Sequence, residues 1–446
     1  MSSEDRNFEG IGFTGRLPSD ANGDIGPDHY VQAVNAHMTV FDRSGTALTG
    51  RIVIASLWEA AGDTGACRVN PRGDPVVLYD HLADRWVISQ FARLPGGLSF
   101  ACVAVSRSPD PVEGGWFLYT LGVASGFEYP KMGVWPDGYY MSAFSNPDNL
   151  DAYVLDRAAM LQGQPARVQR FLVDRSILFV LPGDLDGPPP PPGTPNVFAR
   201  HVDGERWGGQ DRVELFALSV DWADPAASRL EALPPLPVDP FDANLCGGTR
   251  GVSVPCVPQP GTAERLDTLP NFPMMPMQHR SFGTVDTLVF NYTVDVGADR
   301  AGIRWYELHR SRGNNWAVHQ QGTHGPDDDV HRWMGSVAMN GQGDMALGYS
   351  VASARLYPGI RVAGRLVDDP LGTMPRGEIT VVNGASSQED YRWGDYSAMR
   401  VDPIDDCTFW YTAQYEPAGG VWGTRIAAFR LASCDSNVPP TFDTTH

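Results

Sequence analysis

The chain has 446 residues, 42% hydrophobic and 10% aromatic, enough for a sizeable core and incompatible with wholesale disorder. Its formal net charge of −19 repels nucleic acid and anionic membranes, so neither is expected as a general partner. The 48 glycines and 37 prolines are spread without period, which suits many short strands joined by turns and excludes a fold of long helices.

Taken in order, the first motif is SDANGDIGPD (Ser19–Asp28). Asp20, Asn22 and Asp24 stand two residues apart around a glycine, an alternation that predicts a structural Ca2+ loop; a plain Asx turn is the competing reading, and the distal glutamate of an EF-hand is missing. His29–Asp42 reads as the first strands of a blade. Gly73–Phe91 and Tyr129–Phe144 each read as a strand, a tight turn and an aromatic-rich return strand. Asp156–Gly163 is the best short helix candidate, and Asp211–Trp222 alternates as a strand. The same hairpin pattern returns at His279–Val294, His331–Val351 and Tyr391–Tyr415.

Starts at 73 and 129 lie 56 apart, and those at 279, 331 and 391 lie 52 and 60 apart. That period suits a four-stranded blade with generous loops. We therefore expect one all-β domain over residues 1–446, a β-propeller of seven blades, with six or eight also open. Residues 183–270 hold Pro-rich irregular insertions: Gly187–Pro195 and Leu233–Gly261 cannot supply central strands, because proline lacks the donor.

Six cysteines, Cys67, Cys102, Cys246, Cys256, Cys407 and Cys434, suit three local disulfides, although spacing alone leaves the connectivity open. Such bridges predict a secreted or extracytoplasmic protein. The N-terminal MSSEDRNFEG carries no apolar signal core, so export requires a leader already removed. No apolar run is long enough for membrane insertion, and a monomer is expected.

The segments Pro18–Asn35, Asp74–Phe91, Tyr129–Ser142, His331–Met339 and Arg392–Thr412 together resemble a group of secreted bacterial β-propeller proteins. The resemblance implies fold and export, and carries over no catalytic residue.

In a propeller the start of each first strand gathers at one mouth of the channel, a usual place for ligands. The repeat assigns His29, Tyr30, Asp74, Lys131, His279, Arg280, His331, Arg332, Arg392, Asp395 and Tyr396 to that mouth. Arg280, Arg332 and Arg392, with Lys131, could converge on an anion, as guanidinium forks pair bidentately with carboxylates. Such convergence resembles the sialidase arrangement, but the Asp-box turns and a Glu/Tyr nucleophile pair are absent. The structural alternative is that Arg332 and Arg392 stack on Trp333 and Trp393 or bridge loops.

Asp74 and Asp395, with Glu378 behind them, are the acids to test, since glycoside hydrolysis needs paired carboxylates; turn roles compete for each aspartate. His279 and His331 could serve as bases. Tyr30, Trp333, Trp393 and Tyr396 would stack on sugar faces. No GxSxG elbow, HExxH helix, P-loop or GxGxxG unit appears, which excludes the corresponding hydrolases, zincins and nucleotide enzymes. The expectation is a propeller that binds, and in one reading cleaves, an anionic or polar saccharide. If it is an enzyme, it is a glycoside hydrolase or a polysaccharide lyase; the alternative is a non-catalytic recognition or adhesion scaffold.

Overall fold

Alternating apolar runs separated by short polar turns fold into hairpins throughout the chain, as in Pro71–Asp80 with Arg85–Arg93 and Glu128–Trp135 with Gly138–Ser145. The computed structural model describes residues 4–145, 149–174, 179–247, 254–311 and 313–435. Within them the hairpins extend into antiparallel four-stranded sheets, and the protein is an all-β propeller. The innermost strands are Asn22–Ile25, Pro71–Asp80, Glu128–Trp135, Leu181–Leu185, Pro273–Phe282, His331–Met339 and Ala398–Val401. Each touches the next, and the last touches the first, so they enclose one channel.

Asn22–Ile25 is the inner strand of its sheet, with His29–Val34 and His37–Asp42 outside it. Asn22 and Asp24 of the segment read from sequence as a calcium loop therefore lie in a strand, with Asp20 just before it. The ring is shut by the ends of the chain: Glu4–Glu9 pairs antiparallel with Gly423–Phe429, which removes an open edge. Elsewhere Leu181–Leu185 pairs in parallel with Pro273–Phe282, through Gly183 with Met277 and Asp184 with Gln278, drawing two four-strand groups and the short strand Leu236–Pro237 into one nine-stranded sheet. Gly133 permits the next approach, since a Cβ there would lie 2.5 Å from the Gly183 carbonyl oxygen.

Inner strands leave backbone donors on their free edge, and polar side chains of the neighbouring blade take them up. Asn22 Oδ1 accepts from Val77 N at 2.9 Å and Asp24 Oδ2 from Tyr79 N at 2.8 Å. Asp184 Oδ1 accepts from Val134 N, Gln278 Oε1 from Met339 N and Ser336 Oγ from Met399 N. Buried donors left alone would each cost about 1–3 kcal/mol, so this ladder explains polar residues in strands that are otherwise core.

Aromatic rings fill the gaps between sheets. Tyr30 stacks on Trp410 at 5.4 Å and Trp333 meets Trp393 at the same distance, all four fully buried. Truncating such a ring to alanine costs about 3–5 kcal/mol. The disulfides are Cys67–Cys102, Cys246–Cys256 and Cys407–Cys434, each closing a local loop. For the last, 27 residues apart, loop closure is worth roughly 3 kcal/mol in the chain-entropy reading. Asp156 caps a single helical turn, Arg157–Met160, by accepting from Ala159 N. The span 183–270 holds a Pro-rich connection after Leu185 and a second irregular stretch, but also the strands Asn196–Val202 and Arg212–Ser219; residues 248–253 of it lie outside the described residues. No described helix is long and apolar enough to cross a membrane.

Candidate functional site

Several inner strands begin with the same irregularity. Asp20, Asp74, Tyr129 and Met334 have φ of 50°, 49°, 53° and 51°, in the left-handed region that side chains other than glycine seldom occupy. Strand register shifts between Gly73 and Val76, Glu128 and Lys131, and Trp333 and Ser336. These bulges re-aim side chains at the N-terminal end of the channel, and strain of this kind concentrates at functional sites.

Asp20, Asp74, Lys131, Asp395 and Tyr396 are brought together there. Asn35 positions two of them: its Nδ2 donates to Asp20 Oδ2, while its Oδ1 accepts from Asp74 N at 2.8 Å. Asp20 Oδ1 accepts from Asp395 N at 2.8 Å. The Lys131 ammonium lies 3.5 Å from the ring centroids of both Tyr129 and Tyr396, fully buried and without a hydrogen-bond acceptor among the described residues. The Tyr396 hydroxyl lies 3.1 Å from the Pro130 carbonyl and 3.3 Å from Asp74 Oδ2. Arg392 donates to Asp395 Oδ2 at 2.8 Å and its Nε stands 3.4 Å from Asp267. Asp395 Oδ1 has no hydrogen-bond partner among the described residues. Asp74 and Asp395 are half-buried, and Glu128, paired with Arg93 at 3.2 Å, stands exposed beside them.

Crowding carboxylates with little water raises their proton affinity. Burial, then the charge of Asp20, pushes Asp395 up to about 8 against the pull of Arg392. Burial raises Asp20 to about 6. Burial and the charges of Asp20, Glu128 and Asp395 carry Asp74 well above the carboxylate range. Burial lowers Lys131, with the same three aspartates opposing. The group can therefore hold protons near neutral pH on some carboxylates and charge on others.

The C-terminal end of the channel differs. A cavity of about 430 Å³ opens there, lined by Asp24, Asp184, Arg280, Arg400 and Asp406 among others. Arg400 crosses the axis, donating to Asp184 Oδ2, with its Nε 3.6 Å from Asp24. Burial raises Asp24 to about 7, with Arg400 opposing. Arg280 is paired with Asp406.

Several expectations are thus corrected. Asp20, Asn22 and Asp24 do not surround one loop centre: Asp20 precedes the strand that holds the other two, each accepts from a different backbone N–H, and Asp24 reaches the far end of the channel. The three arginines do not converge. Arg280 lies at the opposite end, and Arg332 is fully buried, bonded to both carboxylate oxygens of Glu378 and of Asp328. Only Arg392 reaches the mouth. Glu378 is no proton donor: although burial opposes it, hydrogen bonds from His324, Arg332 and Tyr349 hold it below the usual range.

His279 lies edge-on to Trp135 at 4.8 Å, and burial lowers it to about 4. His331 accepts from Ala301 N at 3.3 Å and is likewise lowered to about 4 by burial and nearby arginines. Neither has a contact with Asp74 or Asp395 among the described interactions. Tyr30, Trp333 and Trp393 are core side chains with no sugar-facing surface, since the gaps between sheets claim their rings. Sequence reading missed Asn35, Tyr129, Glu128 and Asp267. Tyr129 and Asn35 stood inside recognised motifs, but their roles depend on bulges and on partners far along the chain.

No family model and no curated protein matches the chain. Among solved structures it is similar to the Penicillium chrysogenum alpha-L-arabinanase complexed with arabinobiose, at 9% identity over 83% of this chain and 100% of that one, with a TM-score of 0.39. It is also similar to the WD40 domain of SCAP from fission yeast, at 7% identity over 92% and 81%, TM-score 0.38. A third is the Trypanosoma rangeli sialidase in complex with the inhibitor DANA, at 10% identity over 87% and 57%, TM-score 0.34. Likeness at this level concerns fold alone, and the site rests on its own geometry.

Proposed function

We propose that the N-terminal mouth of the channel binds a polar saccharide and cleaves it by acid/base catalysis, acting as a monomer outside the cell. The observation that carries this reading is the gathering of Asp20, Asp74 and Asp395 around Lys131 on strained inner-strand starts. Glycoside hydrolysis requires one carboxyl that keeps its proton and one that does not. Asp395, at about 8, keeps its proton at neutral pH and is the general acid; Asp20, at about 6, is ionised and supports the charge of Lys131. Asp74, at the rim and within reach of the Tyr396 hydroxyl, is the second proton-carrying group. Carboxylates outnumber cations at this mouth, and Arg392 is already engaged, so a neutral polar saccharide suits it better than an anionic one.

The test is a screen of neutral and uronic-acid polysaccharides for binding and for new reducing ends, with wild type, Asp395→Asn and Asp74→Asn in parallel. The expected result is a substrate turned over by wild type, bound but not cleaved by Asp395→Asn. Equal turnover by wild type and both variants would sink the assignment.

A second reading has its own observation. Every arginine of the anticipated clamp is neutralised by carboxylates, the arrangement expected of a recognition scaffold. Binding without cleavage by wild type, weakened at Asp74→Asn, would select it.

A further inference from the structure

Far from the channel, the two strands at one end of the nine-stranded sheet, Ala301–Ser311 and Ala317–His324, bring three ligand-type side chains together. Glu307 and His309 are two residues apart and so share a face. Pairing runs Glu307 with Gln320 and then Leu308 with Val318, which leaves His319 as the extra residue of a bulge. The bulge turns its ring onto that of His309, stacked at 3.8 Å and 5°. One donor atom from each of Glu307, His309 and His319 lies within 4.8 Å of the others.

We propose that Glu307, His309 and His319 bind a divalent cation of the zinc class. Two imidazoles and one carboxylate are borderline donors that suit zinc and its neighbours, whereas calcium and magnesium demand oxygen. The trio grades from a buried anchor to open solvent: Glu307 is 2% exposed, His309 half-buried and His319 exposed. That gives an entry path and leaves coordination positions for water. The anchor also has the outer support that metal ligands need: Gln320 Nε2 donates to Glu307 Oε2, and Gln320 Oε1 accepts from Gly372 N at 3.0 Å.

His309 Nε2 stands 2.6 Å from Glu307 Oε1, so two of the three donor atoms already face each other. The cation takes the place between these two donor atoms, and the exposed His319 ring swings to present its nitrogen. Arg365, close enough to feel the Glu307 charge, works against the ion and sets an upper limit on affinity.

The experiment is calorimetric titration of the tag-free, EDTA-stripped chain with zinc sulfate, in two buffers of different ionisation heat, with magnesium as control. One zinc per chain and no magnesium heat are expected in both buffers, and His319→Ala and His309→Ala should each weaken binding at least ~10-fold. His319 is exposed, so its variant keeps the fold, which an unchanged melting curve verifies. Absence of zinc binding by wild type, or unchanged affinity in both variants, would overturn the proposal.

Discussion

The two ends of the channel are built from the same residue types and do opposite things with them. At the C-terminal end, Arg400 sits between Asp184 and Asp24, and Arg280 is paired with Asp406. At the N-terminal end, the buried cation is a lysine held by two aromatic faces, and Asp395 keeps an oxygen without a hydrogen-bond partner among the described residues. The difference lies in geometry. A guanidinium reaches two carboxylates at once and pulls their proton affinity down against burial, whereas an ammonium between ring faces leaves the surrounding aspartates competing for protons. At one end a cation matches the carboxylates that face it; at the other the crowded carboxylates hold raised proton affinity.

The sharpest way to break this contrast is to change each end separately. Asp395→Asn should lower turnover of the identified saccharide by about 10²–10⁴-fold, the usual contribution of a positioned acid. Its melting temperature should hold or rise, because the variant no longer ionises in a crowded site. At the other end, Arg400→Leu strands Asp24 and Asp184 without their cation and should cost about 3–5 kcal/mol in chemical denaturation, while saccharide binding at the mouth stays unchanged. Loss of binding in Arg400→Leu, or a severe stability loss in Asp395→Asn, would erase the distinction. Arg332→Ala belongs with Arg400: its pairing with Glu378 and Asp328 predicts a stability loss and no change in glycan affinity.

A gentler test uses pH. Asp20, Asp24, Asp395 and Glu416 have folded values of about 6, 7, 8 and 8, all above their ordinary values. Each therefore contributes stability that is fully present below about pH 4 and is lost as pH rises through the folded value. Lys131, His279, His331 and His201, all lowered by burial, act in the opposite sense. With the carboxylates in the majority, the melting temperature should fall between pH 5 and pH 8.5, and Asp395→Asn should flatten the upper part of that fall. A melting temperature that climbs over this interval would show that the carboxylates are not crowded as described. The smallest effect expected is from calcium: added to EDTA-treated protein, it should leave the melting curve unmoved, since Asp20 and Asp24 serve opposite ends of the channel.

Much of the fold was legible, and for a physical reason. The hairpins at Gly73–Phe91, Tyr129–Phe144 and His331–Val351 announce themselves through local alternation and turn residues, and the structure has paired strands at each. The first inner strand was misread because its edge-capping polar residues, Asn22 and Asp24, imitate a calcium loop. Asp74, Lys131, Asp395 and Tyr396 were found because strand starts share one end of a propeller. Arg280 and Arg332 were misplaced by the same rule, since a few residues along a strand, or a turn to its other face, changes which end and which neighbour a side chain meets.

Sequence by itself determined the strand period, the all-β class, the cysteines available for bridging and the acidic balance, all of which depend on local pattern or composition. Tertiary structure decided which charges meet. Asp20 and Asp395 are neighbours across 375 positions of chain, and their proton affinities arise from that proximity and from burial. No local pattern encodes either, because Coulomb interaction and desolvation depend on distance in space and on what excludes water, not on spacing along the chain.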